Sequence, residues 1–245
     1  GSDGEIREQV RGISHFVGNG VMAEFVRPKK FLGQHFLTDL AIAKRIVQSL
    51  THTDLYKDVL EVGAGMGVLT NYLVQQKNYQ THIIEIDRDS IQYLEEHFPM
   101  LKDAIMEGDF LQLGFDELFD GRPFAVIGNF PYNISSQILF HCLKYKSNVS
   151  LIVGMFQKEM AQRVASKHGS KEYGVISVLM QVWYDVEYLF EVHENDFAPP
   201  PKVKSAVIRL TKKKSSYKIQ DPAVLTRMVK SAFQQRRKML RNTWK

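Results

Sequence analysis

The chain has 245 residues, enough for one large α/β domain or for a domain of about 200 residues with a small appendage, and its 44% hydrophobic and 24% charged content, with a net charge of +5, is that of an ordinary globular protein. No apolar stretch approaches the ~20 residues needed to span a bilayer and no signal peptide is visible, so no membrane partner is expected, and the near absence of cysteine fits a reducing, cytoplasmic setting. The single cysteine, Cys142, excludes a disulfide framework and a thiolate metal site, and the eight histidines lack any ligand spacing, so no protein-bound catalytic metal is expected.

Residues 1–24 are glycine-containing and weakly periodic, and Gly1-Ser2 resembles a cloning remnant; they read as an amino-terminal extension or leftover segment outside the fold. From Asp39 to Leu50, apolar Leu40, Ala43, Ile46, Val47 and Leu50 recur at helical spacing behind a Thr38 or Asp39 cap. Strand-like and helix-like segments then alternate. Strands are expected at 58–62, 82–86, 104–107, 124–128 and 150–155, with amphipathic helices at 68–76, 89–97 and 135–143 between them. This alternation predicts a doubly wound, mostly parallel sheet with helices on both faces.

A further helix is expected at 158–165, followed by an apolar segment, 173–184, that reads as helix with strand as the alternative. Val186–Val192 and Val203–Leu210 read as strands joined by Phe197-Ala198-Pro199-Pro200-Pro201, an antiparallel pair closing the sheet edge. Lys212-Lys213-Lys214-Ser215-Ser216 looks like a linker, and Asp221-Pro222 opens a last helix, with Asp as cap and Pro at its first position. The expected division is therefore 1–24, a main domain over 25–211, and a basic helical segment over 212–245. Residues 202–245 hold 14 Lys and Arg against one acid, a net of +13, while residues 1–201 carry a net of −8. A basic tail on an acidic body points to a polyanion, nucleic acid above all.

Two motifs carry chemistry. Leu60-Glu61-Val62-Gly63-Ala64-Gly65-Met66-Gly67 is a strand running into a G-x-G-x-G turn, where glycines admit a ligand close to the backbone. Glu85 ends the next strand, placed to accept the hydroxyls of a ribose, and Asp109, after the third strand, to accept from an adenine amine. A dinucleotide would need G-x-G-x-x-G spacing, but the third glycine here comes one residue early. Glu61 would repel phosphates and attract an ammonium, so S-adenosylmethionine is the preferred cofactor. The second motif, Asn129-Phe130-Pro131-Tyr132, follows the fourth of these strands, at the sheet edge where open α/β folds bind ligands. It suits alkylation of a planar exocyclic amine. The Asn oxygen and a carbonyl before or at the Pro accept the amine hydrogens and aim its lone pair, while Tyr132 stacks on the base.

With these motifs in order, the chain resembles the ribosomal RNA adenine dimethyltransferases, in the bacterial small-subunit branch. The resemblance runs from Arg27 to about Asn242. It rests on Gly33-Gln34-His35-Phe36-Leu37, Gly63 to Gly67, Glu85, Asp109, Asn129 to Tyr132, Gln157-Lys158-Glu159, the segment from Phe197 through the three prolines to Lys202-Val203, and Arg236-Arg237-Lys238. The family has Asn or His at position 35, so His35 is within pattern. The resemblance implies a class I S-adenosylmethionine-dependent methyltransferase fold, Rossmann-like, with a small carboxyl-terminal helical domain. It implies that His35, Leu37, Gly63, Gly65, Glu85, Asp109 and Asn129 contact the cofactor. Asn129 and Pro131 would also hold the target amine, Tyr132 and Phe197 would sandwich a flipped adenine, and Lys202, Arg236, Arg237 and Lys238 would meet RNA. The activity implied is addition of two methyl groups to each of two neighbouring adenines in the terminal hairpin of 16S rRNA. The partner would be the immature small subunit, met by a monomer. Two departures stand out: the family's helical domain usually continues past Arg-Arg-Lys, so the tail reads as short or truncated, and residues 1–24 match nothing in the family.

Three other functions compete. A large-subunit RNA methyltransferase of the antibiotic-resistance type shares the cofactor and Asn-x-Pro-Tyr motifs, but the Gly-Gln-His-Phe-Leu form, triple proline and Arg-Arg-Lys stretch disfavour it. A ribosome-assembly factor with secondary catalysis would be free to lose Asn129, Pro131 and Tyr132. DNA adenine or protein glutamine methyltransferases would place Pro, not Phe130, after the Asn or Asp. His141 and Cys142, and Met100, Met106, Met155, Met160 and Met180, read as core packing.

Overall fold

The computed structural model describes residues 29, 34–214, 219 and 221–234. Gly33, the amino-terminal extension and Arg236, Arg237 and Lys238 lie outside the described residues. The strands are β1 (Phe36–Leu37), β2 (Asp58–Val62), β3 (Gln80–Glu85), β4 (Ile105–Glu107), β5 (Phe124–Asn129), β6 (Val149–Gln157), β7 (Tyr184–Val192), β8 (Phe197–Ala198) and β9 (Ser205–Lys212). The helices are α1 (Leu40–Gln48), α2 (Thr70–Leu73), α3 (Arg88–His97), α4 (Ser135–Lys144), α5 (Lys158–Ala165), α6 (Val175–Gln181) and α7 (Pro222–Gln234). Asp39 caps α1 through Ala41 N (2.9 Å) and Ile42 N (3.2 Å), and Asp221 caps α7 through Ala223 N (2.8 Å), as the sequence predicts.

Seven strands form one sheet in the order β4-β3-β2-β5-β6-β9-β7. The first five in that order run parallel; β9 is antiparallel to both β6 and β7. Strands β2, β5 and β6 are almost wholly buried because layers cover both faces, which is why they read as unbroken apolar runs. One face packs Val59, Ala125, Ile127, Val153 and Val207 against α1 and its neighbours. The other packs Leu60, Val126, Ile152, Ile208 and the Phe115 and Phe124 rings. Order reverses between β2 and β5, since β3 lies on one side of β2 and β5 on the other, and the carboxyl ends of these two strands open a crevice.

Three expectations need correction. The helix expected at 68–76 is a single turn, α2. The 173–184 segment divides: α6 ends at Gln181, and Tyr184 begins β7 by burying its ring and donating its hydroxyl to the Val149 carbonyl (2.8 Å). Met100 is exposed, not core, whereas Met155 and Met180 are fully buried. His141 and Cys142 behave as packing residues: His141 bonds the Leu113 carbonyl (2.7 Å) between the Phe110 and Phe115 rings, and burial pushes the Cys142 thiol far up.

Gly128 shows how tightly the crevice floor is built. A Cβ there would lie 2.7 Å from the Val62 carbonyl oxygen of the next strand and 2.8 Å from the Phe130 ring. The first is backbone within a parallel ladder and has no room to move. Gly128→Ala is expected to destabilise the fold by about 1–3 kcal/mol, the range for overpacking, read as a lowered denaturant midpoint.

Candidate active site

A cavity of about 240 Å³ opens at the carboxyl ends of β2, β3, β4 and β5. Gly63 and Gly65 supply one wall, Ile84 to Ile86 a second, Gly108 to Leu111 a third, and Asn129 to Ile134 the last. Gln34, His35 and Phe36 reach in from β1 and the two residues before it. Gly63 and Gly65 have φ of +68° and +56°, and a Cβ at Gly63 would meet nothing within 4 Å, so bare backbone faces the cavity.

Glu85 is oriented entirely by main chain. Its Oε2 accepts from Gly65 N (3.0 Å), and its Oε1 accepts from Ile86 N and Asp87 N (3.0 Å each). Burial pushes its carboxyl above the ordinary range, with the three N–H groups acting against that shift. Asp109 Oδ1 accepts from Leu111 N (2.9 Å), capping a 3-10 turn over Phe110–Gln112. Its other oxygen makes no hydrogen bond among the described residues. Ile86, 53% exposed, and Phe110 give the cavity apolar surface between these two acids.

The ribbon explains how His35 arrives. Strands β1 and β8 pair antiparallel, Phe36 with Ala198 and Leu37 with Phe197, and Thr38 N donates to the Asp196 carbonyl (2.8 Å). His35 Nδ1 bonds the Pro199 carbonyl (2.8 Å), and the His35 carbonyl accepts from Asn129 Nδ2 (2.8 Å). The Asn129 amide therefore has its donor end tied to the ribbon, while Oδ1 makes no hydrogen bond among the described residues. The Tyr132 ring lies against the His35 ring, centroids 5.7 Å apart and 23° from parallel, and its hydroxyl is hydrogen-bonded to Ser205. Burial pushes the Tyr132 phenol up, which keeps its proton in place.

Of the residues singled out by sequence, His35, Gly63, Gly65, Glu85, Asp109, Asn129, Pro131 and Tyr132 all line this cavity. Leu37 and Phe197 do not. They face each other across the ribbon, 3% and 1% exposed, packed into the core, so the aromatic sandwich is not formed here and Phe197 acts as the ribbon's anchor. Lys202 is exposed on the loop between β8 and β9. Glu61 does not meet an ammonium either: it is 1% exposed, accepts from the Thr70 hydroxyl, and burial raises its carboxyl to about 8, leaving it mostly uncharged at neutral pH. Gln34, within the Gly-Gln-His-Phe-Leu motif, lines the cavity too, and sequence reading missed Ile86. An apolar residue directly after an acidic strand end was the available signal for Ile86.

The donor set fits an adenosine cofactor: carboxylates to accept hydroxyls and an amine, an apolar surface for a base, and glycine backbone beside them. Among known proteins, the family model described as ribosomal RNA adenine dimethylase matches residues 26–245. The ribosomal RNA small subunit methyltransferase A of Phocaeicola vulgatus is 53% identical over 220 residues, covering 89% of this chain and 77% of that protein. The protein of the same name from Cytophaga hutchinsonii is 51% identical over 222 residues, covering 91% and 86%. Among solved structures, a dimethyladenosine transferase from Plasmodium falciparum superposes with a TM-score of 0.74 at 26% identity, over 86% of this chain and 74% of that one. The 23S rRNA methyltransferase ErmE gives 0.70 at 25% identity, over 85% and 82%.

The buried acid makes a measurable prediction. Glu61 has an ordinary value of 4.5 and a folded value of about 8, so the native state holds a proton the unfolded chain releases. Its contribution is fully present below 4.5 and is lost as pH rises toward 8. Glu61→Gln keeps an acceptor for Thr70 without the ionisation. Denaturant unfolding across pH 5 to 8 is expected to show a shallower decline in stability for the variant than for the parent.

Proposed function

The chain belongs to the ribosomal RNA adenine dimethylase family, and on that footing we propose that it dimethylates the N6 amines of two neighbouring adenosines in the terminal hairpin of 16S rRNA. S-adenosylmethionine, when bound, supplies the electrophilic methyl group. The observation that carries this reading is the Asn129 amide, with its donor end fixed on the ribbon and its acceptor end left for a substrate N–H.

Glu85 is assigned to the ribose hydroxyls, Asp109 to the cofactor's adenine amine, and Ile86 to the face of that adenine. Gly63, Gly65 and the His35 segment border the same ligand. Asn129 Oδ1 accepts one hydrogen of the target amine. The Pro131 carbonyl already accepts from Ile134 N (3.2 Å), so the Phe130 carbonyl is assigned the second. Held this way, the amine lone pair is turned out of conjugation with the ring, which converts a poor nucleophile into a usable one. Tyr132 stacks on the flipped adenine with the ring face that His35 leaves open. A methylated amine is acidic enough to lose its proton to water, so no side-chain base is required. The His35 Nδ1 is in any case engaged with Pro199.

Lys202, Arg236, Arg237 and Lys238 are assigned to RNA phosphates. The division we propose is a main domain over 25–211 and a basic segment over 212–245 that includes α7, with residues 1–24 as a separate amino-terminal segment that lies outside the described residues. The reading also carries a cytoplasmic monomer acting on an immature small subunit. No helix among the described residues is long and apolar enough to cross a membrane. A large-subunit substrate is the weaker reading, because the relatives above 50% identity bear small-subunit names while the large-subunit likeness stands at 25%. Labelled methyl groups appearing on adenines of small subunits that lack the modification would establish the activity; their appearance only on large-subunit RNA would reverse it.

Two substitutions separate the parts. Asn129→Ala is expected to bind RNA nearly as the parent does but to methylate at least 100-fold more slowly, because orienting the lone pair matters mostly in the transition state, where such effects reach ~3 kcal/mol. Single-turnover rates and RNA affinity measured together check this, and a parental rate would remove Asn129 from catalysis. Glu85→Ala is expected to weaken cofactor binding by roughly 1.5–3 kcal/mol for each charged hydrogen bond lost, read by calorimetry on the folded variant.

A further inference from the structure

Ser205 begins β9, the strand inserted between β6 and β7, and pairs with Gln157 on one side and Val192 on the other. It is completely buried, at 0% exposure, at the carboxyl edge of β6 beside the cavity. Ser205 puts a hydroxyl where its strand neighbours Ala206, Val207 and Ile208 are all apolar and buried. A buried hydroxyl needs a partner, and the hydrogen bond of Ser205 runs to the Tyr132 phenol, 73 residues earlier in the chain.

Tyr132 is held at three points. Its carbonyl accepts from Ser135 Oγ (3.2 Å) at the start of α4, one ring face lies against His35, and the far end of the ring is tied to Ser205. The first fixes the backbone and the second leaves the ring free to slide. Only the third sets where the phenol points. A tyrosine beside an open cavity has two side-chain torsions to lose on stacking, and a ring already set in place loses less when a base arrives.

We propose that Ser205 is a positioning residue for adenine capture: it fixes the Tyr132 ring in the orientation on which the flipped base stacks. This rests on the reading of Tyr132 as the stacking surface. Ser205 touches neither the cofactor nor the base, and acts through Tyr132 alone. The bond also ties the centre of the antiparallel half of the sheet to the loop that follows β5, so the ring's orientation depends on a strand outside the parallel half.

The test uses the full chain with a hairpin RNA carrying 2-aminopurine at the target adenine, whose fluorescence falls when it stacks on an aromatic ring, together with methylation of the unlabelled RNA. Ser205→Ala, Tyr132→Phe, the double variant and Tyr132→Ala are compared. Ser205→Ala and Tyr132→Phe each delete the same hydrogen bond from opposite ends. Each is expected to raise KM for RNA by roughly threefold to tenfold, the equivalent of one hydrogen bond, to reduce the 2-aminopurine quench, and to leave cofactor affinity at the parental value. The double variant is expected to be no worse than either single one. Parental KM and quench in Ser205→Ala, or fully additive losses in the double variant, would overturn the proposal. Should Ser205→Ala not fold, Tyr132→Phe decides: impaired capture supports the proposal and parental capture refutes it. Parental capture by Tyr132→Ala would instead sink the stacking assignment itself, an outcome distinct from failure of Ser205.

Discussion

A single hydrogen bond, from Asn129 Nδ2 to the His35 carbonyl, joins residues 94 apart in sequence and sets the terms for the rest of the site. A carboxamide has one donor end and one acceptor end, and rotating it exchanges them. Tying the donor to a backbone carbonyl leaves the oxygen as the group offered to the cavity. Asp at this position would lose that distinction, since a carboxylate has no donor to anchor. The same bond requires the ribbon to be in place, and the ribbon in turn depends on Phe197 and Leu37 filling the core beneath it. The burial of those two side chains is therefore a condition of the chemistry above them, although neither touches the cavity.

The acids around the cavity are sorted by their surroundings. Glu61 and Glu85 lie on adjacent strands and both are deeply buried, yet they do different work. Glu85 is met by three backbone N–H groups, which favour its charged form and fix its plane. Glu61 has one hydroxyl partner and is held mostly protonated, so it joins β2 to α2 as a neutral group. A like-charged pair so close to a cofactor site would be costly, and neutralising one member resolves it.

The parallel half of the sheet was legible because period and punctuation agreed: the run at Asp58–Val62 has the observed bounds, and the expected helix at Lys158–Ala165 matches α5. The cavity-lining residues were legible because glycines, strand-end acids and the Asn-Phe-Pro-Tyr segment each mark a strand terminus. What was not legible depended on partners distant in sequence. Two-residue strands such as β1 and β8 have no periodicity to detect, so the ribbon leaves no mark in the sequence, and Phe197, a stacking ring by the resemblance, is core by its surroundings. Glu61 misled in the same way, because its position before the turn says nothing of the Thr70 hydroxyl folded over it. Ser205 carried no signal at all until Tyr132 was seen beside it.

The strand order has a consequence for how the molecule is made. Strand β7 pairs with β9 and with no other strand of the sheet, and β9 comes later in the chain. A growing polypeptide that has emerged through Val192 holds the five parallel strands but has nowhere to lay β7 until residues 205–212 follow and slide between it and β6. The ribbon partner β8 and the anchor of Tyr132 arrive with that same late stretch. Nascent chains thus gain the Gly63, Glu85 and Asp109 walls of the cavity early, and the pairing that holds the His35 ribbon, with the anchor of Tyr132, last, so an incomplete polypeptide has no finished cavity.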